Sequence, residues 1–201
     1  MPDIEIPVNA EVRASDGPYG RSVCLIVEPL REKVTHLVVQ EDAYPQTQRL
    51  VPINLVEVVS SGHVNLKCTA AQLNQMDNFV DTEFIPSDPA LGPLLVWPYV
   101  EPAIGPILIE HEKVPAGEVA VRRGSRVHAT DGLVGRVDEL MLDRASGKIT
   151  HLVLREGHLW GQKDVSIPVS KIRSLDPDGI QLELSKKEIE ALPEIPIRRT
   201  Y

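Results

Sequence analysis

An internal repeat limits the folds open to this chain more than any other feature of its sequence. "DGPYGRS" starts at Asp16 and "DGLVGRV" at Asp131, so Asp16, Gly17, Gly20 and Arg21 recur as Asp131, Gly132, Gly135 and Arg136 at an offset of 115 residues. At the same offset "THLVVQE" (Thr35 to Glu41) falls on "THLVLRE" (Thr150 to Glu156), an aliphatic, β-branched run that reads as a strand in both copies. Each run follows a turn, "EPLREK" in the first copy and "DRASGK" in the second, where Gly147 can supply the left-handed residue of a hairpin. After a one-residue adjustment the offset becomes 116, and "VPINLVEV" aligns with "IPVSKIRSL" and "VNLKC" with "IQLEL" as further short strands.

Both copies close on the same helix signal. Thr69 with Gln72, and Ser185 with Glu188, have the spacing of a capping box, in which the hydroxyl caps the third amide and the third side chain returns to the cap. Leu73 and Met76 in the first helix, and Ile189 and Leu192 in the second, form one apolar edge each. The expected fold is mainly β: two small barrels of short strands, each closed by a short capped C-terminal helix. The predicted division is residues 1–78, a connecting arm 79–118, and residues 119–201. Since each repeat carries its own strands and helix, residues 119–201 are expected to fold alone.

The paired glycines admit two readings. A phosphate cradle needs converging amides at a helix N-terminus, whereas Gly135 is followed by "RVDELMLD", which leads into a hairpin. A turn reading fits better: Asp16–Gly17 and Asp131–Gly132 make tight reversals in which aspartate bonds its own backbone. Gly20 and Gly135 then relieve crowding where a strand bends.

The order "DGxxGRV", an acidic residue before a hairpin, "ITHLVL" and "IPVSKI" resembles the PRC-barrel family, whose small β-barrel is shared by the photosynthetic reaction-centre H subunit and the C-terminal domain of RimM-type ribosome-maturation factors. The first copy departs at Pro18 and Tyr19, has no glycine corresponding to Gly147, and carries "DAYPQTQR" where the second has "GHLWGQKD". Together the copies span about three quarters of the chain. The resemblance implies an interaction module and leaves the role open, since one fold serves many functions.

Little in the sequence speaks for catalysis, and neither a cofactor nor a metal is expected. His36 and His151 occupy equivalent positions, which suggests a repeated structural duty rather than ligation. His63, His111, His128 and His158 form no metal-binding spacing, and no nucleophile elbow is present. Cys24 and Cys68 read as buried thiols, with a disulfide as the alternative. The carboxylates Asp138, Glu139, Asp176 and Asp178 read as solvated surface, as do the basic pairs Arg122/Arg123, Lys186/Lys187 and Arg198/Arg199. The net charge is −8, distributed as −4 over residues 1–78, −6 over 79–118 and +2 over 119–201, which argues against a nucleic-acid groove. No run is long and apolar enough to span a membrane and no basic, apolar leader is evident, so a cytoplasmic location is expected.

The arm is richer than a linker. From Pro86 to Pro115 it holds seven prolines, which oppose a central strand or long helix, together with Leu94, Leu95, Trp97, Tyr99, Ile107 and Leu108, too apolar for a solvated tether. It either packs on its own barrels or is donated to a partner or a second copy of the chain. These six residues and Trp160 are the candidate partner-binding positions. The expected function is a non-catalytic, self-associating interaction scaffold, with a ribosome-maturation or RNA-processing accessory role of the RimM type as the alternative.

Overall fold

The computed structural model describes residues 4–7, 9–60, 63–85, 107–143, 146, 148–156, 164–176 and 178–192. The strands of the first half are β1 (Ile4–Pro7), β2 (Glu11–Ala14), β3 (Gly17–Glu28), β4 (Lys33–Glu41), β5 (Gln48–Pro52), β6 (Val56–Ser60) and β7 (His63–Leu66), followed by helix α1 (Ala70–Leu73). Strands β8 (Val80–Ile85) and β9 (Ile107–Glu112) come next. The second half comprises β10 (Val119–Arg122), β11 (Arg126–Ala129), β12 (Gly132–Leu142), β13 (Ile149–Glu156), β14 (Asp164–Pro168), β15 (Ile172–Asp176), β16 (Gly179–Leu182) and α2 (Lys186–Glu190).

The repeat is visible in the ladders. One seven-stranded sheet runs β5-β4-β3-β2-β7-β6 and the other β14-β13-β12-β11-β16-β15, the same order at each position. In both, one parallel pair, β2 with β7 and β11 with β16, joins otherwise antiparallel neighbours. The long strands β3 and β12 are irregular at equivalent points, between Ser22 and Cys24 and between Val137 and Glu139. Such bulges increase local twist and let one strand serve two neighbours along its length.

The seventh strand of each sheet comes from the other repeat. β10 adds antiparallel to β3, with Val119 opposite Val27 and Arg122 opposite Cys24. β1 adds to β12, with Ile4 opposite Leu142 and Pro7 opposite Glu139. These registers are equivalent under the 115-residue offset, so the halves exchange their leading strands reciprocally. The second sheet is therefore not built from residues 119–201 alone, as the sequence suggested. It takes β1 from residues 4–7, and β10 leaves it for the first sheet.

The crossovers turn on equivalent residues. Asn9 has φ 74° and Gly124 φ 88°, a left-handed conformation open to glycine and tolerated by asparagine. Asn9 N donates to Ser22 O at 2.8 Å and Gly124 N to Val137 O at 2.7 Å, which pins each crossover to the long strand of its own repeat. The hairpin ends also meet: Lys33 bridges Lys148, and Ile149 N donates to Glu32 O at 2.8 Å. The consequence is a main core shared by both halves. Buried apolar residues of both halves, from Val12, Leu25 and Leu37 to Leu140, Leu152 and Ile180, form one connected cluster.

Both capping boxes form, with Thr69 and Ser185 accepting from the amides of Gln72 and Glu188. The two aspartates differ from the expected self-bonded turn. Asp16 Oδ1 accepts from Ala70 N and Asp131 Oδ1 from Lys186 N, each at 2.9 Å, so each tight reversal is tied to the helix that follows the last strand of its repeat. Gly17 (φ 151°) and Gly132 (φ 126°) adopt positive φ. Gly20 serves a different purpose, because a Cβ there would lie 1.9 Å from Gln40 O on the neighbouring strand. Gly147 lies outside the described residues.

Candidate interaction surface

Residues 79–85 and 107–112, assigned to the arm by sequence, form an antiparallel ribbon in which β8 pairs with β9 from Val80 opposite Glu112 to Ile85 opposite Ile107. Its root is apolar. Phe79 is fully buried against Cys24, Ile26 and Val38, with Val80 and Val114 packed around them. That cluster covers the outer face of the first sheet and explains why Val23 to Val27 is continuously apolar: β3 is buried on both faces there. Full burial of a phenylalanine is worth about 1.5–3 kcal/mol.

Polar contacts reinforce the root. Phe79 N donates to Gln48 O at 2.8 Å and Leu50 N to Asp77 O at 3.0 Å, so residues 77–79 follow the edge of β5. Arg49 Nη1 donates to Met76 O at 3.1 Å and to Asn78 Oδ1 at 2.5 Å. The Arg122 guanidinium lies 6.0 Å from the centre of the Phe79 ring and 2.6 Å from a Glu112 carboxylate oxygen. Beyond the root the ribbon faces solvent. Lys113 pairs with Asp81 at 2.7 Å and His111 with Glu83 at 3.5 Å, and Leu108 is 53% exposed.

A groove with a volume of about 480 Å³ runs between the ribbon and the loop joining β4 to β5. Its polar lining includes the carboxamides of Gln40, Gln46, Gln48 and Asn78 and the carboxylates of Asp81 and Glu110. Gln46 holds a left-handed backbone (φ 62°), and the loop is braced by Glu41, whose carboxylate accepts from Thr47 N at 3.0 Å. A second depression, of about 350 Å³, is lined by Thr130, Arg173, Ser174 and Gln181 in the second sheet.

Of the partner-binding positions proposed from sequence, Ile107 and Leu108 lie on β9. Leu94, Leu95, Trp97, Tyr99 and Trp160 lie outside the described residues. Sequence reasoning missed Phe79 and the groove glutamines. The available signal was the pair Phe79–Val80 directly after α1, an apolar doublet at the start of an acidic segment.

One carboxylate read as solvated is buried, whereas Arg123, Asp176, Asp178 and Lys187 are exposed as expected. Asp138 is 1% exposed, and one of its carboxylate oxygens takes Arg123 Nε at 2.8 Å and Nη2 at 2.7 Å. It sits at the bulge of β12. The equivalent positions of the first repeat hold Val23 and Val8, so a buried carboxylate with an exposed arginine partner in one half replaces two apolar residues in the other.

The histidines and cysteines have structural surroundings. His36 Nδ1 lies 3.0 Å from Thr35 Oγ1 and 3.9 Å from the Glu118 carboxylate. Thr35 and Thr150 each contact the carbonyl opposite, Ile26 O and Met141 O, at 3.2 Å. Among the described residues no group of three or more His, Cys, Asp or Glu is placed to hold a metal ion. Cys24 and Cys68 are free and buried. Burial pushes the Cys24 thiol up to about 12, and the Cys68 thiol is also raised by burial. Among the described residues no helix is long and apolar enough to cross a membrane.

The second half can now be compared with known families. The matched span opens at Arg123, one residue after the strand that crosses to the first sheet, and closes inside α2. Residues 123–189 match the PRC-barrel domain. The PRC-barrel match thus covers the strands β11 to β16 that form the path of the second sheet, without the exchanged β1 or β10. No curated protein matches the chain.

Proposed function

We propose that this chain is a non-catalytic protein-interaction scaffold made of two PRC-type repeats, the first of which is a second copy of the PRC-barrel domain at residues 123–189. Support for the second copy comes from the identical strand order of the two sheets and their paired capping boxes. The observation that carries the scaffold reading is the ribbon. It is anchored by a buried phenylalanine, yet its outer length faces solvent with Leu108 exposed, an arrangement suited to contact rather than to core packing. A two-stranded ribbon has little stability in water by itself, so contact with a partner would contribute directly to its order.

In this reading the segment joining β8 to β9 supplies the aromatic anchors Trp97 and Tyr99, since aromatic residues carry a large share of interface energy. The first partner is a second copy of the chain. Light scattering across a concentration series tests this: wild type is a dimer or larger, and Trp97→Ala with Tyr99→Ala shifts it towards monomer while the melting temperature holds. A monomeric wild type refutes self-association. Affinity capture from native cells tests the wider reading, and recovery of ribosomal proteins in place of the chain itself would favour the RimM-type role.

A further inference from the structure

We propose that the groove beside β8 is a docking site for an extended, basic segment of a protein partner. This rests on the interaction reading above and names the chemistry of the partner. Three consecutive residues of β8, Val80 to Thr82, line the groove, so it follows the edge of a strand. An extended segment laid there would run beside the strand edge, the geometry by which peptides add to sheets.

The opposite wall suits a peptide backbone. Gln40, Gln46 and Gln48 line it, and their side-chain amides make no hydrogen bond among the described residues. Each carboxamide carries a donor and an acceptor, the same pair that a peptide group presents, and can therefore bond a backbone of any sequence. The wall is held in place by the bond from Thr47 N to Glu41 and by the Gln46 N to Ala43 O bond at 2.7 Å.

Charge selects the side chains. Asp81 and Glu110 line the groove, and no lysine or arginine is among its described lining residues. Asp81 is already matched by Lys113, whereas Glu110 makes no ion pair among the described residues. Glu83 faces His111 at 3.5 Å and Glu112 is matched by Arg122 at 2.6 Å, so Glu110 is the groove carboxylate left to an incoming cation. Leu108 and Glu110 are two residues apart on β9 and share one face of the ribbon, as alternation requires. A matching segment carries a lysine or arginine against Glu110 and an apolar residue two positions away against Leu108.

The test is amide NMR of the full chain titrated with a blocked hexapeptide, Thr-Lys-Thr-Val-Thr-Lys, in which valine stands two positions from each lysine, and with its counterpart in which glutamate replaces each lysine. The expected result is saturable shifts confined to Gln46–Gln48, Asn78–Thr82 and Leu108–Glu112 with the lysine peptide, weakening as salt is raised, and none with the glutamate peptide. Glu110→Gln should weaken binding about two- to fivefold, the range of an exposed ion pair. Glu110→Lys should weaken it about tenfold or more through like-charge contact. Equal binding of both peptides, shifts elsewhere, indifference to Glu110→Lys, or no binding of either peptide would each overturn the proposal. Failure here with intact capture of a partner from cells would place the interface elsewhere and leave the scaffold reading standing, whereas loss of both would remove the scaffold reading too.

Discussion

If the halves complete each other's sheets, they should unfold together. Leu73 on α1 and Ile189 on α2 test this, because they are equivalent residues, 0% and 2% exposed, that belong to one apolar cluster drawn from both halves. Truncating a buried Leu or Ile to Ala costs about 2–5 kcal/mol, since transfer energy and a residual cavity add. Taking about 3 kcal/mol, a chain of this size should lose roughly 6–12 °C in melting temperature, at about 2–4 °C per kcal/mol. Differential scanning calorimetry should show one endotherm for wild type, with calorimetric and van't Hoff enthalpies equal. Leu73→Ala and Ile189→Ala should each move that whole endotherm by a similar amount. Two transitions, only one of which responds to Leu73→Ala, would show that the exchanged strands do not couple the halves. A fragment of residues 119–201 provides the complementary test: alone it should give collapsed amide dispersion, and mixing with residues 1–118 should restore it. A well-dispersed isolated fragment would refute the coupling as well.

The two turn glycines should differ in cost. Gly20→Ala drives a Cβ to 1.9 Å from a backbone oxygen and should cost about 2 kcal/mol or more, while Gly132→Ala meets chiefly the flexible end of Lys186 and should cost about 1 kcal/mol for its positive φ, both read from denaturant midpoints. The capping boxes should differ in pH response. Hydrogen bonds from the Ser185 backbone and side chain hold Glu188 below its usual value of 4.5, so its contribution is present above that value and is lost as pH falls through the lower folded one. Glu188→Gln should flatten that acid limb in a pH series of melting temperatures, and Gln72→Ala in the other box should leave it intact. Cys24, raised to about 12 by burial, should resist a thiol reagent at mildly alkaline pH until the chain is denatured, whereas labelling of the native chain would show that the sheet opens there. Elemental analysis should find no stoichiometric metal, and one equivalent of zinc lost on His36→Ala would refute the structural role of that histidine.

The repeated elements were legible because their signals are local. Asp-Gly, the aliphatic runs and the hydroxyl-to-glutamine or hydroxyl-to-glutamate spacing each depend on a few neighbouring residues. Strand exchange was not legible, because alternation shows which side chains share a face and not which strand lies beside them. Asn9 and Gly124 mark the crossovers, yet "VNA" and "RGS" share no residue, and only the backbone angle common to both reveals the equivalence. The same limit applied to charge. Asp138 reads as surface until its partner Arg123 is seen across the bulge, and the apolar excess of Val23 to Val27 has no evident cause until Phe79 is placed over it. The ribbon was hidden by the prolines that follow each of its strands or lie between them. They oppose a central strand but say nothing against a two-stranded pair formed from the segments that flank them.

The reciprocal exchange also sets an order of events during translation. β1 leaves the ribosome long before Glu139–Leu142, against which it must lie, and β3 waits for Val119–Arg122. At a synthesis rate of about 5–20 residues per second, the first strand waits roughly 7–27 seconds for its partner. Such distant pairings close large loops and form late. Until Val119–Arg122 has been synthesised the first sheet lacks β10, and the outer half of β3 has an open side. An open side of this kind would accept Val119–Arg122 of a neighbouring nascent chain, so entangled pairs are expected more often on crowded polysomes than on sparsely loaded ones.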